Sequence, residues 1–268
     1  MKRRSQLYVP SVNKRMIEKS VEIPADSIVF DLEDSVPLED KEKARENLRN
    51  SLSTYSWKGK ELCVRINQVT IKDGIKDLLL LSEIDVNLIL VPKAEGRLDF
   101  IYKATGKKVE PIVETPRGVV EMEDLVRSEG VEAISYGAAD LALHSEGKIS
   151  GYEGNVYLMT RLVMTARAYD VDPIDKVYFD LKNQDGFRRE AEYAKSLGFA
   201  GKQVIHPSQV LIANEVFSLT EDEMKFYREI VESYEKALKE GKGAIRLRDQ
   251  LVDQVHYKIA KRKLSDYS

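Results

Sequence analysis

Glu114 and Asp140 are the two acids in this chain best placed for joint chemistry. Each follows a short apolar run, Pro111-Ile112-Val113 before the first and Ala133-Ile134-Ser135-Tyr136-Gly137 ahead of the second. Carboxylates from adjacent strand ends could share one divalent ion, with water and substrate oxygens completing the octahedral shell that Mg²⁺ prefers. No histidine or cysteine cluster stands beside them, which excludes a soft-ligand zinc cage. Arg65 closes another apolar run, Leu62-Cys63-Val64, where a guanidinium could fork onto a substrate carboxylate. It could also pair with Asp31, Glu33 or Asp34, which follow Val29-Phe30, and both roles can hold at once. Those three acids could support Arg65 or a metal-bound water, or form only a solvated turn. Lys93 follows Leu88-Ile89-Leu90-Val91-Pro92 and could neutralise developing negative charge or pair with Glu95. Carboxylates and cations at the ends of apolar runs suggest a hard metal ion and an anionic substrate.

Other chemistry-bearing residues carry weaker patterns. His206 precedes Pro207 and reads as a hydrogen-bonding residue at a rim, while His144 and His256 carry no spacing signal. Cys63 is the single cysteine and sits inside an apolar run, so it reads as a buried structural thiol and no internal disulfide is available. Arg3, Arg4, Lys14, Arg15 and Lys19 form a basic cluster near the first strand. That cluster is either a solvated face or a set of cations for a phosphate-rich ligand.

Elements must hold these groups together. Residues 7–9, 27–31, 61–66, 88–91, 108–113, 133–136, 173–175 and 201–205 read as eight strands. Helical spacing falls between them. Residues 39–52 place Ala44, Leu48 and Leu52 at steps of four, and residues 155–169 and 185–197 each align one apolar face, the latter stopping at Gly198. Strand–helix alternation with chemistry where strands end predicts an α/β fold, a (β/α)₈ TIM barrel over residues 1–219. Residues 220–268 read as a C-terminal helical extension and lid segment. Thr220-Glu221-Asp222-Glu223 is a capping box leading an amphipathic helix, and residues 244–264 read as a polar tail with a short helix, too poor in apolar residues to fold alone.

A chain of 268 residues with 43% hydrophobic content can bury one such core. The formal net charge of -3 gives no support to nucleic-acid or anionic-membrane binding. No apolar run approaches the ~20 residues of a membrane span, and the start of the chain lacks a signal-peptide core, so the expected location is cytoplasmic.

Several segments in order resemble the citrate lyase β-subunit family of the wider HpcH/HpaI aldolase/citrate lyase superfamily, which includes malyl-CoA lyases. They are Arg4-Ser5-Gln6-Leu7-Tyr8-Val9-Pro10, Asp31-Leu32-Glu33-Asp34-Ser35-Val36 with Lys43-Ala44-Arg45, and Val64-Arg65-Ile66-Asn67. Val91-Pro92-Lys93-Ala94-Glu95, Glu114-Thr115 with Gly118, Gly137 with Asp140-Leu141, and the run from Gly198 to Pro207 complete the match. The resemblance implies a Mg²⁺-dependent lyase acting on a 3-hydroxy-acyl-CoA thioester, most simply citryl-CoA to oxaloacetate and acetyl-CoA. The alternatives it carries are a malyl-CoA or methylmalyl-CoA lyase, a malate synthase-type thioesterase, and a carrier-dependent β subunit of a citrate lyase complex. It also implies a homo-oligomer, trimer or hexamer, with Glu114 and Asp140 as metal ligands and Arg65 binding the keto- or hydroxy-acid. Tyr8, Arg15 and Lys19 match positions that contact coenzyme A, and Asp253 matches a catalytic aspartate that many members bring from a neighbouring subunit. Departures fall at Ser11, where glycine is frequent, at Arg248-Asp249 in place of a glycine, and at Val255 where proline is usual.

Overall fold

A computed structural model describes residues 2–265 of the chain; Met1 and residues 266–268, the outer ends of the two expected segments, lie outside the described residues. The chain divides into two compact units, Met1–Phe217 and Ser218–Ser268.

The first unit is a closed barrel of eight parallel strands in sequential order. They are β1 (Ser5–Pro10), β2 (Ser27–Asp31), β3 (Glu61–Arg65), β4 (Leu88–Val91), β5 (Lys108–Val113), β6 (Ala133–Tyr136), β7 (Asp172–Asp175) and β8 (Gly201–Val204). β1 pairs with β8 to close the ring, with Leu7 opposite Val204. Alternation along each strand sorts the side chains. In β2, Ile28 and Phe30 join the large core shared with Ala44 and Leu48 of the helix Lys41–Thr54. Val29 instead joins Cys63, Leu88, Leu90 and Ile112 in a smaller cluster inside the barrel. Cys63 is fully buried there, and burial pushes its thiol well above the usual range.

The interior also carries polar groups. Glu110 accepts from Gln6 Nε2 at 2.6 Å, and Gln203 Nε2 donates to Ser135 Oγ at 2.9 Å. Burial raises Glu110 to about 7. At the end where strands begin, Arg3 donates to Glu61 at 2.7 Å and pairs with Glu132 and Asp172 at 3.1 and 3.2 Å. Arg4 forks onto Asp26 with two bonds of 2.8 Å. This corrects the expected phosphate-binding cluster. Arg3 and Arg4 precede β1 and lie at the barrel's opposite end, tied up in structural ion pairs, so only Lys14, Arg15 and Lys19 of that group follow the strand.

The second unit also departs from expectation. The helix Glu221–Lys239 starts at the Thr220/Glu223 capping box. After it, β9 (Ala244–Leu247) and β10 (Gln250–Asp253) form an antiparallel hairpin, followed by the helix Gln254–Ser265. Ile230, Tyr234, Val252 and Ala260 are buried together, flanked by Phe226, Ile245 and Tyr257. The tail is therefore no loose polar strap; it supplies half of a small core whose other half is the preceding helix. Arg248 and Asp249 form the two-residue turn at φ 45° and 64°, the backbone such a hairpin needs and the reason glycine suits this place. Among the described residues no helix is long and apolar enough to cross a membrane.

Candidate active site

Because all eight strands run parallel, residues that end strands meet at one rim. A cavity of about 430 Å³ opens there, lined among others by Tyr8, Asp31, Asp34, Arg65, Glu114 and Asp140. Sequence reading singled out all six.

Arg65 ends β3 and Asp31 ends β2, opposite one another in register. The guanidinium forks onto Asp31 through Nε and Nη2, both at 2.7 Å. Burial would raise Asp31, but the Arg65 fork and the backbone N–H groups of Glu33 and Ser35 outweigh it and hold the carboxyl below its usual range. Nη1 lies 3.0 Å from Glu33 Oε2 and 3.5 Å from Asp34. The Glu33 approach lacks hydrogen-bond geometry, so Oε2 stays buried without a hydrogen-bond partner. The Tyr8 ring lies 5.1 Å from the guanidinium carbon, a cation–π contact that supports Arg65 from β1. The acidic turn is not a solvated one: Asp31 and Glu33 are buried, and only Asp34 is exposed.

The turn is braced from behind. Lys41 Nζ donates to the carbonyls of Leu32 and Glu33, each at 2.7 Å. Asn67 Nδ2 donates to the Leu32 carbonyl at 3.0 Å and to Asp77 at 2.7 Å, and Asp77 also accepts from Arg45 at 2.7 Å. These residues set where Arg65 and Glu33 point.

Glu114 follows β5 directly and is almost fully buried. Its Oε1 accepts from the backbone N–H of Lys93 at 2.8 Å. A Cβ on Gly137 would come within 2.5 Å of its Oε2, so glycine leaves room for this carboxylate. Burial, with Glu33 nearby, pushes Glu114 up to about 8. Asp140 is not at a strand end as expected. It lies in the first turn of the helix Ala138–His144, after β6 and the N-cap Gly137. Lys93 brings the acids together: its Nζ is 2.8 Å from Glu33, 3.5 Å from Asp140 and 3.8 Å from Glu114. It does not pair with Glu95, which instead accepts from Thr115 Oγ1 at 2.7 Å.

Three carboxylates around one ammonium leave an excess of negative charge, and burial makes that charge costly. A hard divalent cation between Glu114 and Asp140 would relieve it, so the donor set fits Mg²⁺. Among the described residues no group of three or more His, Cys, Asp or Glu forms a metal cage. A pair of carboxylates matches an ion that keeps several waters.

Arg15 and Lys19 are exposed on the helix Lys14–Ser20, which starts after β1; neither lines the cavity, to which that helix contributes Met16. Asp253 belongs to the second unit and ends β10. Its Oδ1 accepts from the Val255 N–H at 2.9 Å and lies 2.7 Å from His256 Nδ1. The His256 hydrogen bond lowers its pKa. His256 therefore had a signal that was overlooked, the i+3 spacing from an acid that caps a helix. His206 caps the helix Pro207–Val216, its ring nitrogen accepting from the Ser208 N–H at 3.2 Å.

Lys176 and Gln203 also line the cavity and were missed. Lys176 directly follows β7, so the strand-end rule applied to Glu114 would have found it. Its Nζ lies 2.8 Å from Glu190, which Lys202 also meets at 2.6 Å.

Over residues 4–207 the chain matches the HpcH/HpaI aldolase/citrate lyase family. It is 32% identical to the citrate lyase subunit beta of Escherichia coli strain K12, covering 94% of this chain and 88% of that protein. It is 31% identical to a (3S)-malyl-CoA thioesterase of Cereibacter sphaeroides, over 98% of this chain and 93% of that protein. The Mycobacterium tuberculosis citrate lyase beta subunit, solved with oxaloacetate and magnesium, superposes with a TM-score of 0.72 at 26% identity, covering 81% of this chain and 97% of that one. With its closed parallel barrel and its match from the first strand past the last, this chain belongs to the HpcH/HpaI aldolase/citrate lyase family.

Proposed function

We propose that the chain is a Mg²⁺-dependent carbon–carbon lyase that splits citryl-CoA into oxaloacetate and acetyl-CoA. The observation that carries this reading is one cavity in which a braced guanidinium, Arg65, faces the carboxylate pair of buried Glu114 and part-exposed Asp140.

Magnesium held by Glu114 and Asp140 would supply Lewis acidity at the substrate's 3-hydroxyl and adjacent carboxylate. The protein's own groups do the rest. Arg65 has its Nε/Nη2 edge hydrogen-bonded by Asp31, so its Nη1/Nη2 edge, which meets Glu33 and Asp34 through ion-pair contacts alone, is the one left for the oxygen that becomes the keto group. Tyr8 and Asp31 keep that edge from turning away. As the 3-hydroxyl gives up its proton, the carbon–carbon bond breaks and its electron pair passes to the acetyl fragment as a thioester enolate. Asp253 is the proposed general acid/base: its carboxylate takes up the 3-hydroxyl proton and returns it to that carbon. Arg15 and Lys19 are the proposed contacts for the nucleotide phosphates, so binding far from the reacting carbon helps to orient it. The proposed form is a cytoplasmic homotrimer or hexamer.

A malyl-CoA or methylmalyl-CoA lyase, with or without thioester hydrolysis, is the second reading, favoured by the malyl-CoA thioesterase relative at 31% identity. A carrier-dependent subunit of a citrate lyase complex is the third, favoured by the relative named as a subunit. One panel separates them: purified protein and Mg²⁺ with citryl-CoA, malyl-CoA, methylmalyl-CoA and citryl-loaded acyl carrier protein, scored for released keto acid and for free CoA thiol. Oxaloacetate from citryl-CoA is the expected result. Glyoxylate from either malyl thioester selects the second reading, and turnover confined to the carrier selects the third. Neither keto acid nor free CoA thiol from any of the four overturns all three.

A further inference from the structure

We propose that Lys93 is a built-in counter-ion, anchored on Glu33, that competes with the divalent cation for Glu114 and Asp140 and leans away from them when the cation binds. The inference rests on the reading of those two acids as cation ligands.

Three observations lead to it. Lys93 has φ +48°, a left-handed conformation that an L-residue adopts only when its surroundings hold it there. In that conformation its N–H donates to Glu114 at 2.8 Å while its own ammonium returns to the same acidic group. The residue thus fixes the Glu114 carboxylate and partly neutralises it. Second, Nζ lies 3.5 Å from Asp140 Oδ1 and 3.8 Å from Glu114 Oε1, beyond good hydrogen bonds, while it is hydrogen-bonded to Glu33 at 2.8 Å. Its hold on Glu114 and Asp140 is electrostatic and can be released without breaking a side-chain hydrogen bond. Third, the buried Glu33 Oε2 has no hydrogen-bond partner. Arg65 Nη1 lies 3.0 Å from that oxygen and Lys93 already holds Oε1, so the lysine stem can lean a few ångströms away from Glu114 and Asp140 while keeping its Glu33 bond.

The consequence is a divalent site with tempered affinity. An ammonium a few ångströms from a divalent ion repels it, and in a buried site little solvent screens that repulsion. Removing the charge should therefore tighten cation binding. If Lys93 served only to hold Glu114 and Glu33 in place, removing it would loosen binding instead. The sign of the change separates the two roles.

The test is a titration with Mn²⁺, followed by loss of the free-ion electron paramagnetic resonance signal, with Mg²⁺ added as competitor. Wild type, Lys93→Met, Lys93→Arg and Glu114→Gln are compared as full chains, each checked by circular dichroism. Lys93→Met should bind Mn²⁺ at least about tenfold more tightly, and Lys93→Arg, which keeps the charge, should stay within about threefold of wild type. Unchanged or weaker binding by Lys93→Met overturns the proposal. If that variant does not fold without metal, Lys93→Gln, which keeps a hydrogen-bond donor for Glu33, is titrated under the same criteria. A wild-type site that Glu114→Gln leaves intact overturns a different claim, that Glu114 is a ligand.

Discussion

Arg65 uses two of its three guanidinium nitrogens on Asp31 and stacks on Tyr8, so its position is fixed before any substrate arrives. Fixed dipoles aimed at developing charge need no rearrangement during the reaction. An ammonium has no planar fork and cannot bond both Asp31 oxygens while facing a substrate oxygen. Arg65→Lys should therefore lower kcat/KM for keto-acid release by about 10²–10³-fold, with native circular dichroism. A near-wild-type value would reduce Arg65 to an ion-pair partner of the acidic turn. At this scale the sequence was legible where a residue closes an apolar run. Asp31, Arg65 and Glu114 all come to the cavity by that rule. Arg3 and Arg4 were misplaced because proximity to a strand was read without asking which end of it they occupy. Residues before a parallel strand and residues after it lie a barrel's height apart.

Strands decide which side chains face inward, and here they turn a glutamate into the barrel. Glu110 of β5 sits among Gln6 of β1 and Gln203 of β8, and burial raises its pKa from 4.5 to about 7. An acid with a raised folded pKa destabilises the fold when it ionises. Between about pH 4.5 and 7 the folded barrel keeps a proton that the unfolded chain releases, so this group's contribution makes stability fall as pH rises through that window. Glu110→Gln should remove that slope and gain on the order of 2–3 kcal/mol above pH 7, the Gln6 amide flipping to present its unpaired Oε1. Thermal unfolding of both proteins at about pH 5 and about pH 8 checks it; parallel curves would show that Glu110 does not titrate in this window. Periodicity could not reveal this group, because alternation tells which residues share a face but not that a barrel interior would tolerate an acid. The same limit misjudged Asp140, whose place in a helix's first turn depends on the short turn after Gly137.

For the molecule as a whole, the two units divide the proposed chemistry: cation ligands and Arg65 belong to the first, Asp253 to the second. Asp253→Asn should lower turnover by at least about 10²-fold while leaving Mn²⁺ affinity and the unfolding temperature unchanged. Mixed with Arg65→Lys and allowed to exchange subunits, it should regain activity if the acid serves a neighbouring chain. Full activity of Asp253→Asn alone would remove this residue from the mechanism. A cut after Gly241 would be a poor test of the same role. Tyr234 donates to the Gly243 carbonyl at 3.2 Å, and Val252 and Ala260 cover the helix Glu221–Lys239, so the cut would strip a core. Apolar residues scattered through a charged tail gave no periodic sign of that packing until helix and hairpin were seen together. The ring closure of β1 on β8 has a further consequence, for how the chain is made. A ribosome releases β1 nearly two hundred residues before its second partner, and strand pairing is local for every neighbour except this one. Until β8 emerges, the nascent sheet is an open fan with an exposed edge on β1, where Leu7 waits for Val204. Production of this protein should therefore be most vulnerable to misassembly late in elongation, when seven strands exist and the eighth is still inside the exit tunnel.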